Sequence, residues 1–324
     1  MVHTHTEFSL GIFGRTIAKK LGVPTVHSLH TLYEQYTHYI TKNGPLDTTA
    51  KTFARKWSRF FCDTSDVVLS PIEKVKEVLR EYGVKNRISV IPTGIEVEKF
   101  NPIKCNPDEI MNLRSEYGFT LSDRILLYVG RISKEKNLEE ILYSLADYFP
   151  HHPEVKLLVV GDGPDKNNLQ SLTNILGIEE KVLFAGAKPW HEIGMYYQLG
   201  DVFVSASQSE TQGLTYIEAL AAGLPLIAKE DRCLNNVLHD NLNGFSFTDR
   251  ATFHCALNNA LSDTSTMRDL SLAAIHSVSP FSAKAFAEKV ALLYEEVLPQ
   301  KNNFMQFKEE LQCSQSICDH QQTA

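Results

Sequence analysis

The sequence predicts an α/β protein built from two doubly wound parallel sheets, and three observations lead to this fold class. Short apolar segments rich in β-branched residues alternate with amphipathic segments of about 10–15 residues, as strands alternate with helices. The alternation runs through both halves of the 324-residue chain, which is long enough for two domains of ordinary size. No apolar segment approaches the ~20 residues that a membrane span needs. Strands that alternate with helices typically form a parallel sheet covered on both faces.

Residues 106–280 predict one such domain. Its strands are expected at Leu126–Gly130, Leu157–Gly161, Val182–Ala185, Val202–Ser205 and Pro225–Ala228. Helices are expected between the strands, among them Leu138–Tyr148 and Leu214–Ala222. Ligands of open sheets bind at the carboxyl ends of the strands, so we expect the chemistry of this domain in the loops that follow its strands.

Residues 1–105 repeat the alternation in a shorter form. The expected strands are Thr25–Leu29, Asp66–Leu69 and Ile88–Ile91, and the expected helices are Gly11–Lys20, Thr49–Phe61 and Ile72–Tyr82. The chain opens on Val2–His5, which has the character of a strand end, and such a strand needs earlier strands to pair with. We therefore expect the domain at residues 1–105 to be incomplete at its start.

Three further segments complete the expected organisation. Residues 92–107 are typical of a linker. Residues 281–299 carry apolar side chains at helical spacing, and we expect this helix to pack back on the first domain. Residues 300–324 are polar and rich in Gln, Ser and Asn, which predicts a frayed tail.

Composition narrows the class of protein. Hydrophobic residues make up 43% and charged residues 22%, which is normal for a globular protein in water. Met1 is followed by Val, His and Thr rather than by a basic and then apolar segment, so no secretory signal is expected and the predicted location is the cytoplasm. The six cysteines are scattered without a Cys-x-x-Cys pair, which predicts reduced structural thiols.

The net charge of −7 is unevenly distributed. Residues 1–105 carry 15 Lys and Arg against 10 Asp and Glu, whereas residues 106–324 carry 17 against 29. A weakly basic first part can favour anionic lipid, although an uneven distribution without functional meaning is an equal alternative. There is no dense basic stripe, so nucleic acid is not an expected partner.

Glu210 and Glu218 form the strongest motif, because the residues around them predict a transition from loop to helix. Gly213 and Leu214 open the expected helix, and a Gly-Leu-Pro sequence at 223–225 ends it. Backbone N–H groups at the start of a helix can meet phosphate or sugar oxygens. Both carboxylates can accept hydrogen bonds from hydroxyl groups. A solvated acidic pair on a surface helix is the alternative.

Residues 130–137, Gly-Arg-Ile-Ser-Lys-Glu-Lys-Asn, form a second motif between a strand and a helix. Arg131 can form a fork to phosphate oxygens and Lys136 can place a compact charge nearby, so that together they neutralise a diphosphate leaving group. A solvated basic loop is the alternative. Gly161 and Gly163 follow the next strand and allow close backbone approach, although a turn without ligand explains them equally well.

These motifs, with Phe-Ala-Gly-Ala-Lys-Pro at 184–189, occur in the order and spacing of the family-4 retaining glycosyltransferases. The chain resembles this family from His3 to about Leu298. The resemblance implies a GT-B fold of two Rossmann-like domains, a UDP-sugar as the donor substrate without a further cofactor, and retention of the anomeric configuration. It also implies that something on the order of 90 residues are absent before the first strand.

The resemblance assigns roles to individual residues. Arg131 and Lys136 bind the donor diphosphate, Glu218 holds the ribose, and Glu210 lies near the transferred sugar. The other donor-binding residues are Gly130, Gly161, Gly163, Gln212, Gly213 and Leu214. The family often has Gly where this chain has Asn137, which is a minor departure. There is no Asp-x-Asp motif, so we expect the two cations rather than a metal to neutralise the diphosphate.

Residues 3–11 resemble the family's histidine motif. By this resemblance His5, with His3 as the second choice, bridges the sugar and the acceptor hydroxyl, and His5 joins Arg131, Lys136 and Glu210 as a catalytic residue. A metal site or a buried structural histidine are the alternatives. No third ligand stands at a useful spacing, so no metal site is expected.

Residues 3–40 are more particularly similar to bacterial enzymes that glucosylate 1,2-diacylglycerol, which are peripheral membrane proteins. Within 51–61, the basic residues recur every four positions while the aromatic residues fall on the opposite face. Such a helix can lie in a membrane interface, and the predicted membrane contacts are Lys51, Arg55, Trp57 and Arg59. An ordinary core-packed helix with a solvated basic face is the alternative.

We therefore predict transfer of a hexose, as glucose, from a UDP-sugar to a lipid hydroxyl at the inner, anionic face of the cell membrane. A shortened nucleotide-sugar-binding protein without transfer activity is one alternative, and a transferase of the same family with a non-lipid acceptor is another. A nucleotide-sugar epimerase of GT-B fold is a third, but the glutamate pair with Arg131 and Lys136 disfavours it.

Overall fold

The computed structural model describes residues 1–298 apart from 38–40, 42–43 and 45. These residues form two compact units, one of Met1–Ile91 with the chain from Ala287 onward, and one of Pro92–Phe286. The expected tail at 300–324, with Cys313 and Cys318, lies outside the described residues. Each unit is a parallel α/β sheet, as predicted.

The first unit contains a four-stranded sheet in the order β1-β2-β3-β4, with every neighbouring pair parallel. The strands are β1 Val2–Thr4, β2 Thr25–Ser28, β3 Val67–Ser70 and β4 Arg87–Val90. The helices are α1 Ser9–Leu21, α2 Asp47–Asp63 and α3 Glu73–Glu81. Helix α1 ends at Gly22 with φ 62°, a left-handed conformation that glycine adopts without strain.

The second unit contains a six-stranded parallel sheet in the order β10-β9-β8-β5-β6-β7. Its strands are β5 Arg124–Val129, β6 Val155–Val160, β7 Val182–Gly186, β8 Val202–Ser205, β9 Leu226–Lys229 and β10 Gly244–Phe247. Its helices are α4 Pro107–Glu116, α5 Leu138–Tyr148, α6 Lys166–Leu176, α7 Ile193–Tyr197, α8 Leu214–Ala221, α9 Arg250–Ala260 and α10 Thr264–Ser277. Strand β10 is an element that the apolar pattern did not reveal.

A buried apolar core joins the sheet of the second unit to its helices. Leu126, Leu157 and Val204 supply strand side chains, and Ile141 and Leu257 supply helix side chains, all of them shielded from solvent. Strands buried on both faces are nearly continuously apolar, which explains why β5, β6 and β8 were found from the sequence. The same core fixes the carboxyl ends of these strands, and the loops of the candidate site begin at those ends.

The segment 92–107, which the sequence predicts to be a linker, is part of the second unit, Pro92–Phe286. Ile95 is 9% exposed, its N–H donates to the carbonyl of Phe281 at 3.0 Å, and its carbonyl accepts from the N–H of Ala283 at 2.8 Å. Phe100 is fully buried. These long-range backbone bonds tie the segment down, and they cannot be seen in local composition.

The last helix, α11 at Ala283–Val297, begins in the second unit and contributes its later residues to the first. Tyr294 lies 2.6 Å from the ring of His3, and Glu296 pairs with Arg87 at the start of β4. The first unit is therefore assembled from two separate stretches of chain.

Candidate functional site

The crevice expected of a doubly wound sheet lies between β5 and β8. From β5 the chain proceeds outward to β6 and β7, and β8 returns to the other side of β5. The loops at the carboxyl ends of these two strands diverge at such a switch point and leave room for a ligand. Residues 130–137 follow β5 and residues 206–213 follow β8, so both predicted donor motifs emerge there.

Glycines hold the loops after β5 and β6 in direct backbone contact. A Cβ atom at Gly161 would lie 1.9 Å from the carbonyl oxygen of Gly130, and one at Gly163 would lie 2.1 Å from that of Ile132. The N–H of Ile132 donates to the carbonyl of Asp162 at 3.0 Å. A larger residue at either position would separate the two loops, so these glycines shape the site through close packing as well as through any ligand contact.

Lys136 and Glu210, predicted from separate motifs, meet in the structure. The Lys136 Nζ lies 2.6 Å from Glu210 Oε1, and each side chain is 17% exposed. Arg131, in the same loop as Lys136, is exposed, and its carbonyl accepts a hydrogen bond from the hydroxyl of Tyr128 at 2.9 Å. The crevice thus holds an ion pair with an arginine in the loop beside it.

The backbone conformation of Asn137 explains why asparagine can replace the glycine that the family often has at this position. The residue adopts the left-handed conformation with φ 53° at the start of α5, and its side chain donates to Glu140 at 2.5 Å. Asparagine is among the few residues besides glycine that accept this conformation readily. The loop can therefore keep its shape without the glycine.

Helix α8 begins directly after the Glu210 loop. Gly213 has φ 70°, and a Cβ there would lie 2.4 Å from the ring of Tyr216, so only glycine fits. The side chain of Gln212 is buried and bonds to both the N–H and the carbonyl of Thr93 at 2.9 Å. Leu214 is 37% exposed at the first helical position. Gln212 thus fixes the loop, and the backbone N–H groups that open α8 have no side-chain cap within the described residues.

Glu218 is 6% exposed on α8, and it lies beside a residue that the sequence reasoning did not identify. The hydroxyl of Tyr197 donates to Glu218 Oε2 at 2.6 Å. Burial raises the pKa of Glu218, while the Tyr197 hydrogen bond and the charge of Lys99 act against that rise. The single signal in the sequence was a tyrosine in a short helix just before β8, which is too common to point to Glu218.

A second charged contact at the same edge was also missed. Lys229, at the end of β9, donates to both carboxylate oxygens of Glu140 at 2.6 and 2.7 Å. The two residues are 89 positions apart, so no local pattern could reveal the pair. It joins the end of β9 to α5 and supports the loop that carries Lys136.

In the first unit, four histidines cluster where β1 and β2 end. His3 lies 2.8 Å from Ser28 and 2.6 Å from Tyr294, and its ring stacks on that of His5 at 4.2 Å. His5 is exposed and lies 3.1 Å from His30. Burial, followed by the neighbouring histidines, lowers the pKa of His3 to about 4, and burial also lowers the pKa of His5 and His30.

The fourth histidine, His27, belongs to a series of hydrogen-bonded polar residues that are mostly buried. Tyr33 donates to Glu7 at 2.6 Å, and His27 lies 3.3 Å from the other oxygen of Glu7 and 2.9 Å from Thr4. Burial alone would raise the pKa of Glu7, but the hydrogen bonds from His27 and Tyr33 outweigh it and lower that pKa. His5 and His30 are thus the exposed members of a cluster whose inner members are fixed by hydrogen bonds.

The basic residues predicted to contact a membrane are engaged within the first unit. Lys51 pairs with Asp47 at 2.7 Å, Arg59 pairs with Asp63 at 3.2 Å, and Arg55 pairs with Glu34. The Trp57 ring stacks on Phe53 at 5.9 Å and lies 5.0 Å from Phe61. Phe53 and Phe60 remain 65% and 56% exposed. The aromatic side of α2 is therefore more available for contact than its basic side.

The described residues contain neither a metal-binding cluster nor a membrane-spanning helix. Within them, no group of three or more His, Cys, Asp or Glu side chains is arranged to hold a metal ion. Among the helices described, none combines the length and the apolar character needed to cross a membrane.

Two family models match the chain. The model "Glycosyl transferases group 1" matches residues 110–277, and "Glycosyltransferase Family 4" matches residues 1–99. Similar proteins include the alpha-monoglucosyldiacylglycerol synthase of Streptococcus pneumoniae, 38% identical over 302 residues, which are 93% of this chain and 67% of that protein. The enzyme of the same name from Acholeplasma laidlawii is 30% identical over 304 residues, 93% of this chain and 76% of that protein.

Solved structures share the fold. The Anabaena protein HepE in complex with UDP-glucose superimposes with a TM-score of 0.75 at 17% identity, covering 91% of this chain and 78% of that one. WaaG, a glycosyltransferase involved in lipopolysaccharide biosynthesis, gives a TM-score of 0.66 at 17% identity, covering 86% and 79%. At such identities the likeness concerns the fold alone.

Proposed function

Because this chain belongs to the family-4 glycosyltransferases, we propose that it transfers a glucosyl residue from UDP-glucose to 1,2-diacylglycerol. Two relatives, at 38% and 30% identity, carry the name alpha-monoglucosyldiacylglycerol synthase. The fold that this chain shares with HepE accommodates UDP-glucose in that protein, so the proposed donor suits the fold. An α-glucoside made from the α-linked sugar of UDP-glucose keeps its anomeric configuration, in agreement with a retaining reaction.

The observation that carries this proposal is the meeting of Lys136 and Glu210 at the switch point of the sheet. In the proposed complex, Lys136 leaves Glu210 to bind the donor diphosphate together with Arg131, and Glu210 turns to the sugar hydroxyls. The N–H groups of Gly213 and Leu214 at the start of α8 add donors for sugar or phosphate oxygens. Glu218 accepts hydrogen bonds from the ribose, and the loops of Gly130, Gly161 and Gly163 complete the donor site.

In the proposed step, the bond between the anomeric carbon and the diphosphate oxygen breaks while the acceptor oxygen attacks from the same face. The acceptor proton passes to the departing phosphate oxygen, so the products are UDP and the glucoside. Arg131 and Lys136 stabilise the charge that grows on the phosphate. We assign His5 to the acceptor and sugar, with His3 behind it. No metal takes part in this proposal.

Release of UDP from UDP-glucose tests the proposal, measured with and without diacylglycerol in anionic vesicles. We expect lipid-dependent release that Glu218→Ala abolishes and Glu139→Ala, an exposed glutamate of α5, preserves. Binding of UDP without release would favour a binding protein without transfer activity. Release stimulated by other acceptors but not by diacylglycerol would favour a family member with a non-lipid acceptor. Absence of UDP binding would overturn the donor site itself.

We further propose that the protein works in the cytoplasm at the inner face of the membrane, through the exposed aromatic side of α2. Phe53, Lys56, Trp57 and Phe60 follow one another at helical spacing, so they share one face. Lys56 is exposed and has no partner among the described residues. Exposed aromatic side chains beside a free lysine are typical of helices that lie in a membrane interface. The paired cations Lys51, Arg55 and Arg59 take a lesser part.

A further inference from the structure

The hydroxyl of Tyr197 is placed in the core of the second unit and directed at Glu218. Tyr197 is 0% exposed on α7, and its Oη donates to Glu218 Oε2 at 2.6 Å. The ring meets Phe100 edge-on at 5.4 Å and stacks with Phe203 at 6.2 Å. Because apolar rings surround it, the hydroxyl has little freedom to leave the carboxylate.

The residue after Tyr197 ties the same helix to α8. The side chain of Gln198 donates to the carbonyl of Phe100 at 2.9 Å and to that of Ala222, just past the end of α8, at 3.5 Å. Helix α7 is therefore joined to α8 at two points, one of which is the Glu218 carboxylate. The orientation of Glu218 depends on this junction, not on α8 alone.

The hydrogen bond also bears on the charge of Glu218. Burial favours the neutral acid, and the groups that oppose it are the Tyr197 hydroxyl on α7 and Lys99 in the turn at 97–99. Burial and the neighbouring carboxylate raise the pKa of Tyr197 well above its ordinary value, so Tyr197 keeps the proton that it donates to Glu218. An ionised carboxylate accepts stronger hydrogen bonds than a neutral one, which matters for any hydroxyl ligand.

We infer that Tyr197 is a positioning residue for nucleotide recognition: it holds one oxygen of Glu218 so that the other, Oε1, meets the ribose hydroxyls. The inference rests on the proposed function, in which Glu218 binds the ribose. A carboxylate has about four acceptor positions on two oxygens, so one oxygen can be held while the other accepts from a diol. Tyr197 thereby sets the preference for a ribonucleotide over a deoxynucleotide without touching the nucleotide.

Calorimetric binding of UDP and of 2′,3′-dideoxy-UDP to the whole chain tests this role. We expect Tyr197→Phe to weaken UDP binding by about tenfold, as loss of a hydrogen bond to a charged group would. The dideoxy analogue, which has no hydroxyls for Glu218, should change by less than about twofold. The affinity for UDP divided by the affinity for the dideoxy analogue should therefore fall. A merely structural role of Tyr197 would weaken both ligands equally and would leave this ratio unchanged.

Tyr216→Phe is the matched control. Tyr216 is 1% exposed on α8, and its hydroxyl bonds to Ser205 at 2.9 Å instead of to Glu218. This variant loses an equally buried hydroxyl and should keep the ratio. In a Glu218→Gln background, Tyr197→Phe should add less than about a twofold loss, because the two residues act through one contact.

An unchanged ratio in folded Tyr197→Phe, or an equal loss for both nucleotides, would overturn the inference. If Tyr197→Phe does not fold, Glu218→Asp serves instead, since it keeps the charge and Tyr197 but draws the carboxylate away from the hydroxyl. The same loss of ratio is expected there, and a retained ratio contradicts the inference. Failure of the unaltered chain to bind UDP would instead overturn the proposed function, so the two failures are distinguishable.

Discussion

The Lys136–Glu210 pair shows how one residue can serve two states of a site. Without a donor, each of these partly buried charges is neutralised by the other at 2.6 Å. A diphosphate brings more than one negative charge to the loop, and Lys136 can then exchange a carboxylate partner for phosphate oxygens. The exchange leaves Glu210 free to accept from hydroxyl groups, so the pair keeps both side chains in place until a donor arrives.

Replacement of Lys136 by Met should therefore weaken UDP binding by about ten- to a hundredfold, since a hydrogen bond to a charged group is worth about 1.5–3 kcal/mol. Uridine, which carries no phosphate, should bind almost as before. Isothermal calorimetry with both ligands measures the difference. Lys134→Met removes an exposed lysine from the same turn and is the control. An equal loss for uridine and UDP would show that Lys136 acts on the fold of the loop rather than on the diphosphate.

A second prediction at the scale of one residue concerns the partly buried His3. Its pKa is lowered to about 4, mainly by burial, whereas an unfolded histidine titrates near 6.5. Between these values the unfolded chain binds more protons than the folded one, so the stability of the first unit should fall as the pH drops from about 6.5 to 4. Below about 4 this contribution should be constant.

Denaturant unfolding at pH 7, 5.5 and 4.5 checks the prediction. The chain has two tryptophans, Trp57 in the first unit and Trp190 in the second, so a Trp190→Phe background lets fluorescence report on the first unit alone. His3→Gln should flatten the decline in unfolding free energy relative to the background. His191→Gln, at a side chain 80% exposed, should leave the slope unchanged. A slope that survives His3→Gln would assign the decline to other groups.

At the scale of the element, helix α2 has two sides with different availability. Three of its basic residues are bonded to Asp47, Glu34 and Asp63, while Phe53 and Phe60 are more than half exposed. A cation in an ion pair must give up its partner before it can meet a lipid phosphate, which reduces its net gain. The sequence periodicity revealed the helix and both of its sides, but the acidic partner of Arg55, Glu34, lies 21 positions away and is brought near only by the tertiary fold.

Sedimentation with anionic vesicles at low salt should distinguish how much each side of α2 contributes to membrane binding. We expect Phe53→Ala with Phe60→Ala to weaken binding by at least about tenfold, because each ring loses apolar burial worth up to about 1.5–3 kcal/mol. Lys56→Gln should cost about 1 kcal/mol, the usual contribution of one basic residue at such a surface. Arg55→Gln should cost less than Lys56→Gln, since Arg55 is paired with Glu34. If Arg55→Gln weakened vesicle binding more than Lys56→Gln, the basic side of α2 would be the membrane contact surface.

At the scale of the whole molecule, the sequence was most informative where structure is local. Strands buried on both faces and helices with regular apolar spacing were predicted within a few residues, as β8 and α5 show. Strand β10, Gly244–Phe247, was missed because its short, mixed sequence is defined by pairing with β9. The partners of Glu218 and Lys136 lie 21 and 74 positions away, so only the tertiary fold could reveal them.

The last prediction follows from the division of the chain into two units. The second unit is one continuous stretch, Pro92–Phe286, with its own sheet and core, and it contains every residue assigned to the donor: Gly130, Arg131, Lys136, Gly161, Gly163, Glu210, Gln212, Gly213, Leu214 and Glu218. The first unit, in contrast, needs the chain from Ala287 onward as well as Met1–Ile91.

A continuous unit with its own core can fold alone. We therefore expect residues 92–286, expressed by themselves, to unfold cooperatively and to bind UDP within about threefold of the whole chain, because separate units contribute nearly independently. The segment should not transfer glucose, since His5 and the rest of the proposed acceptor side are absent from it. Calorimetry with UDP measures the affinity, and the same segment with Glu218→Ala is the control. A folded segment that cannot bind UDP, beside a whole chain that can, would mean that the donor site includes residues outside 92–286.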